Sequence, residues 1–167
     1  MNRKELIVNY GEYRSADEMD DSDRELALAA VDATSLSYAP YSNFHVGAAV
    51  RMSDGRIFKG ANQENIAYPS GLCAERTTLF YAHAHRMDGH EGLASNETPY
   101  ISSIAIAAEH NGRPTEDPVT PCGACRQVMA EFQAEARHPM SIIMVGASRI
   151  LKFDKVEDIL PFIFDSV

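Results

Sequence analysis

The sequence has no apolar run approaching the ~20 residues that a membrane-spanning helix needs, so a helical span is excluded. Its first residues, Met1 to Tyr10, also lack the basic start, apolar stretch and small-residue cleavage site of a secretory leader, and the expected location is the cytoplasm. Cysteine is scarce: there are three, an odd number that makes a poor disulfide framework and leaves metal binding, a reactive thiol or simple burial. Basic residues are outnumbered, 15 Lys and Arg against 24 Asp and Glu, for a formal net charge of -9. Nucleic-acid binding depends on Lys and Arg displacing counterions from phosphates. The balance therefore argues against a nucleic-acid partner and for a small neutral substrate, although a local basic groove can hide within a whole-surface count.

Internal repeats, low-complexity tracts and long linkers are absent too, and 167 residues suit one compact domain with its own core. The first 21 residues differ in character: Glu5 to Tyr13 reads as a short strand and Ser15 to Asp21 as an acidic loop. We therefore divide the chain into an N-terminal extension, 1–21, and a main domain, 22–167. Ser22-Asp23-Arg24-Glu25 has the form of a capping box, predicting a helix whose buried stripe is Leu26, Ala29, Ala30 and Ala33. His45 to Met52 and Arg56 to Ala61 read as the two strands of a hairpin turning at Asp54-Gly55. A helix is expected from Cys73 to about His85, a strand over Ile101 to Ala108, and a helix from Pro121 to about Ala136. Strands at Ser141 to Val145 and Ile150 to Phe153 and a short terminal helix complete the pattern, which points to an α/β layered fold around a central sheet.

Two segments carry the chemistry: Gly71-Leu72-Cys73-Ala74-Glu75-Arg76 and Pro121-Cys122-Gly123-Ala124-Cys125-Arg126-Gln127. Each opens a predicted helix just after a turn-forming Gly or Pro. Cys-x-x-Cys at a helix start sets two sulfurs about one turn apart on one face, suited to a single ion at roughly 2.3 Å per Zn-S bond. Helix N-termini also favour thiolates, through their unpaired N-H groups and the helix dipole. With Cys73 as third ligand, the fourth tetrahedral position stays open, as in catalytic zinc sites. Glu75 lies two residues past Cys73, so both can address one centre only if Cys73 sits at the helix end. Three thiolates on a divalent ion leave a formal charge of -1, and Arg76 and Arg126 are candidates to offset it; we favour Arg76. A structural zinc would need a fourth ligand, and the nearest histidines, His83 and His85, lie roughly 15 to 18 Å along the helix.

These segments resemble the cytidine deaminase family, whose signature is a ligand, one residue, Glu, and then Pro-Cys-x-x-Cys. Cys at the first ligand position is similar to the small homotetrameric branch. The resemblance extends from about Ser37 to the C-terminus through Tyr38-Ala39-Pro40-Tyr41-Ser42-Asn43-Phe44-His45-Val46-Gly47-Ala48-Ala49 and Asn62-Gln63-Glu64-Asn65. It implies a three-layer α/β/α fold with a central mixed five-stranded sheet and one Zn2+ per subunit on Cys73, Cys122 and Cys125. It also implies hydrolytic deamination of cytidine and 2'-deoxycytidine in pyrimidine salvage. On this analogy Glu75 carries protons, Phe44 packs against the pyrimidine, Asn62 and Glu64 bind the ribose hydroxyls, and the Ala74 backbone contacts the base. Phe164, in Leu160-Pro161-Phe162-Ile163-Phe164, would reach a neighbouring subunit's site. The extension and a longer loop over Met87 to Thr98 depart from the pattern. Two alternatives stay open: a related deaminase of another nucleoside or of a base in RNA or DNA, and a non-catalytic zinc scaffold. The blander reading of Asn62 and Glu64 is that they order the loop before Cys73.

Overall fold

A computed structural model describes residues 1–90, 92 and 98–165. Seven strands form one sheet: β1 (Gly11–Tyr13), β2 (Phe44–Met52), β3 (Ile57–Ala61), β4 (Ile101–His110), β5 (Arg113–Pro114), β6 (Ser141–Val145) and β7 (Ile150–Phe153). Among the described residues three α-helices accompany them: α1 (Asp21–Ala33), α2 (Ala74–Ala84) and α3 (Gly123–Ala136). The strand order is β1-β7-β6-β4-β2-β3, with β5 folding back on the end of β4. β4 and β6 pair in parallel, Ile104 opposite Ile142, and α3 is the crossover between them; every other pairing is antiparallel.

Strand alternation divides the core into two layers. Ala48 and Val50, Ile104 and Ile106, and Ile142 and Met144 face α2 and α3, where they pack on Leu79, Ala82, Met129 and Ala130. Ala49, Ala105, Ala107 and Ile143 face α1, meeting Leu26, Ala27 and Ala30. This second layer is thin because its residues are small, and Gly47 sets the limit. A Cβ there would run into the Ala30 carbonyl oxygen and lie 2.5 Å from the Thr34 amide nitrogen. The result is the three-layer α/β/α arrangement.

The expected five strands are seven. The additional strands are three and two residues long: β1 is the last three residues of the strand expected over Glu5 to Tyr13, whereas β5 was not expected, and each forms because a neighbouring edge offers unpaired backbone. Gly11, Glu12 and Tyr13 register on Lys152, Leu151 and Ile150, so the N-terminal segment supplies the sheet's outermost strand. The capping box also moves. Asp20 is the N-cap of α1, accepting from the Asp23 amide at 2.9 Å, while Glu25 pairs with Arg51 at 2.8 Å instead of reaching back. Ala27 is buried in the α1 stripe, and Ala29 lies at its margin. The terminal helix is only a 3-10 turn at Val156–Asp158. Residues 160–165 then run along α3 without regular structure. Of the long loop expected over Met87 to Thr98, positions 91 and 93–97 lie outside the described residues.

Candidate active site and metal centre

The site forms where α2 and α3 begin, and both helices begin at a cysteine. Cys73 is the N-cap of α2 (φ -68°, ψ 151°) and Cys122 the N-cap of α3 (φ -68°, ψ 166°), each in extended backbone. An extended N-cap turns its side chain out of the helical register. This is how Cys73 and Glu75, two residues apart, address one place. Cys125 follows in the first turn of α3 and is fully buried, whereas Cys73 is half-buried and Cys122 exposed.

The Cys73 and Cys122 sulfurs are 4.0 Å apart and those of Cys122 and Cys125 3.5 Å, with all three within 4.8 Å of one another. Ligands at about 2.3 Å around a tetrahedral ion stand about 3.8 Å apart, so the cluster suits a single zinc ion without rearrangement. Two helix N-termini aimed at the sulfurs favour their thiolate forms. The cluster's charge is already uneven. The Cys125 thiol donates toward Cys73, and with help from Arg76 this brings the Cys73 thiol down to about 5 against the opposition of burial. Cys125 is driven upward by the same contact and by burial.

Arg76 Nη2 donates to Cys73 Sγ at 3.4 Å, and that sulfur holds the guanidinium firmly protonated. Arg76 Nε is buried and has no hydrogen-bond partner among the described residues. Arg126, the other candidate, points elsewhere. Its Nε donates to the Pro121 carbonyl at 2.8 Å and its Nη1 to the Ile159 carbonyl at 2.7 Å, strapping the C-terminal segment to α3.

Glu75 is only 5% exposed. Burial pushes its carboxyl up; its own backbone amide opposes this, and the Cys73 sulfur adds to the push. A buried carboxyl whose pKa is raised, beside a cluster that can hold a metal, is suited to taking and returning a proton.

A cleft of about 450 Å³ opens from Cys73, lined by Asn62, Glu64, Tyr41, Ser42 and Tyr68 among others. Three loops make its floor, joined through Gln63, which bridges to Tyr38 on one side and to Leu72 on the other. Asn62 Oδ1 accepts from Ser37 Oγ at 2.5 Å and from the Val46 amide at 2.8 Å, while its Nδ2 donates to the Phe44 carbonyl at 2.9 Å. Glu64 accepts from the Tyr41 amide at 2.9 Å and from Ser42 Oγ at 2.5 Å, contacts that hold its carboxylate below the usual range. Both side chains thus order the cleft and also line it.

Ala74 is buried in the first turn of α2, where the helix leaves its own amides unpaired. Phe44 opens β2, half-buried, with the His110 ring 6.0 Å away. It is not among the residues lining the cleft. Phe164 is 75% exposed and outside this chain's own cleft. Its backbone is clamped by Gln127, whose Nε2 donates to the Phe164 carbonyl at 2.7 Å and whose Oε1 accepts from its amide at 3.3 Å. Sequence reasoning missed that clamp and the part of Tyr68 in the wall. Tyr68, an exposed aromatic between the Asn62 loop and Cys73, was the available signal.

A family model described as the cytidine and deoxycytidylate deaminase zinc-binding region matches residues 20–138, well over half of the chain. The chain belongs to this deaminase family. The cytidine deaminase of Halalkalibacterium halodurans is 44% identical over 66% of this chain and 72% of its own length. That of Sporosarcina psychrophila is 45% identical over 65% of this chain and 68% of its own. The crystal structure of cytidine deaminase from Burkholderia pseudomallei matches at 37% identity and a TM-score of 0.64, over 84% of this chain and 97% of that one. The Mycobacterium tuberculosis enzyme matches at 28% and 0.63, over 89% and 100%. The deaminase family match contains all three cysteines and Glu75, and it begins at residue 20, beyond strand β1.

Proposed function

We propose that this chain hydrolyses cytidine and 2'-deoxycytidine to uridine and 2'-deoxyuridine, releasing ammonia. The observation that carries this reading is the buried Glu75, its carboxyl raised, beside three sulfurs spaced for one zinc ion at the end of an open cleft. Cys73, Cys122 and Cys125 would hold the zinc ion, which when bound would supply the Lewis acidity that makes water nucleophilic at neutral pH. Glu75 takes a proton from the attacking water and passes it to ring N3 of cytosine, raising the electrophilicity of C4. It then carries a second proton to the departing amine, so that water adds, ammonia leaves and the carboxylate is regenerated. The Ala74 amide bonds the base, Phe44 packs against it, and Asn62 and Glu64 take the sugar hydroxyls. Arg76 offsets the charge of the three thiolates. The exposed Phe164, fixed at its backbone by Gln127, completes the site of a neighbouring copy in a homotetramer.

A cytoplasmic salvage role fits a chain in which no described helix is long and apolar enough to cross a membrane. We assign 22–167 to the deaminase domain and 1–21 to an extension that lends the sheet its edge strand. Following the loss of cytidine absorbance with purified, metal-analysed protein tests the reading. Turnover with about one zinc per chain, abolished in Glu75→Gln with zinc retained, is the expected outcome. An active Glu75→Gln would remove Glu75 from the mechanism. Ammonia release from a cytosine-containing oligonucleotide but not from free nucleoside would move the substrate to nucleic acid.

A further inference from the structure

A second cleft lies at the far end of the zinc helices. α2 and α3, 11 and 14 residues long, run about 16 and 21 Å at about 1.5 Å per residue from the cysteines to their C-terminal ends. Those ends, the last residues of β2 and the start of β4 enclose about 710 Å³, within the range of small-molecule sites. None of its lining residues belongs to the zinc site.

Its walls combine flat rings with cations. His83 stacks on Phe132 with ring centroids 4.5 Å apart, and Tyr100 stacks on His138 at 4.6 Å with the planes 11° apart. Arg86 and Arg137 line the same space, against one described carboxylate, Glu135, which engages His83 at 2.7 Å and Arg86 only at 3.9 Å. Among the described residues the Arg137 guanidinium has neither a carboxylate nor a hydrogen-bond partner. Arg137 is also in the left-handed region (φ 57°, ψ 26°) at the end of α3, where Gly or Asn is usual. An exposed guanidinium on a cleft wall with no partner among the described residues is available to an anion. The Arg86 side of the cleft is held in place: Arg56 donates to the carbonyls of His85 at 3.2 Å, Arg86 at 2.5 Å and Asp88 at 3.1 Å. On a chain of net charge -9, this is a local basic groove.

We propose that this cleft binds a nucleoside phosphate, its base stacked on an outer face of the Tyr100–His138 ring pair and its phosphate oxygens held by Arg86 and Arg137. Guanidinium groups match phosphate in charge and geometry, and aromatic faces accept any base. The inference is independent of the reaction assigned to the zinc site. It is tested by calorimetric titration of the zinc-loaded full chain with UTP, which has no exocyclic amine to lose, and separately with inorganic triphosphate. UTP is expected to bind saturably at one site per chain and more tightly than triphosphate. Arg137→Glu should weaken UTP binding about ten- to a hundredfold, as the loss of a charge-assisted bond does, and leave cytidine turnover in the absence of UTP unchanged. Tyr100→Ala should weaken UTP binding and leave triphosphate binding as it was. Absence of saturable binding at millimolar UTP overturns the proposal, as does UTP affinity unchanged by Arg137→Glu. Triphosphate binding as tight as UTP removes the nucleoside from it.

Discussion

Replacing Arg76 with Gln removes the one side-chain cation among the described residues in hydrogen-bond contact with the sulfur cluster while keeping some hydrogen-bonding capacity. A unit charge 3.4 Å from the Cys73 sulfur is worth about 5 kcal/mol at an effective dielectric of about 20. Both groups are partly open to solvent, and screening leaves on the order of 2–3 kcal/mol. Since the uncompensated negative charge opposes activation of water, that energy should appear in the transition state as a loss in kcat/KM of about a hundredfold. The acid limb of the kcat profile should move to higher pH. Arg76→Lys restores the charge without the planar fork and should recover part of the loss. Steady-state deamination of cytidine across pH, with zinc content and a thermal melt measured on each variant, is the assay. A zinc-replete, normally folded Arg76→Gln with kcat/KM within about threefold of the parent would refute the charge-balance reasoning.

The parts of this architecture legible in the sequence are those where one physical demand shows as a pattern. The apolar run Ile101 to Ala108 and the Gly55 turn between two strand-like runs report a sheet buried at its centre, and those strands lie where they were expected. The cluster was legible because spacing limits geometry: Cys122 and Cys125 are one turn apart, and Cys73 can share a centre with Glu75 only as an extended N-cap. What stayed hidden is set by partners distant in the chain. The strand expected over Glu5 to Tyr13 is confined to Gly11–Tyr13, the part that pairs with the edge of β7 some 140 positions later, and nothing local announces that limit. The α1 cap fell to Asp20 and not Ser22, since Glu25, which a capping box would send back to the helix start, is drawn to Arg51 on β2. Arg76 and Arg126 each follow a motif residue, and Arg76, the one favoured, is the one that reaches a sulfur. Packing of the Ile159 carbonyl against α3 separates their fates.

Gly47→Ala places a methyl group against the backbone of α1 at Ala30 and of the turn that follows it at Thr34, which cannot yield as a side chain could. A loss of at least about 1–3 kcal/mol is expected in denaturant unfolding, and a melting temperature unchanged from the parent would show that α1 can lift off the sheet freely. Asp54 accepts from the Arg56 amide at 3.1 Å and from the guanidinium at 2.7 Å, contacts that outweigh burial and hold its carboxyl below the usual range. A depressed folded-state pKa adds stability above the unfolded value of about 3.9 and loses it as pH falls, so Asp54→Asn should flatten the acid limb of stability against pH below about 4; an identical limb would contradict it. Chelation of zinc should abolish turnover and lower the melting temperature, because ion binding to the folded cluster is part of its folding free energy. It should also unmask thiols in an order set by their surroundings. Cys73, brought down to about 5 and half-buried, is a thiolate at pH 6, whereas Cys125 is buried and driven upward, so alkylation of the stripped protein at that pH should reach Cys73 well before Cys125. Peptide mapping reads that order directly. Equal labelling of the two would mean that the Cys125 contact and Arg76 together do not localise the cluster's charge on Cys73.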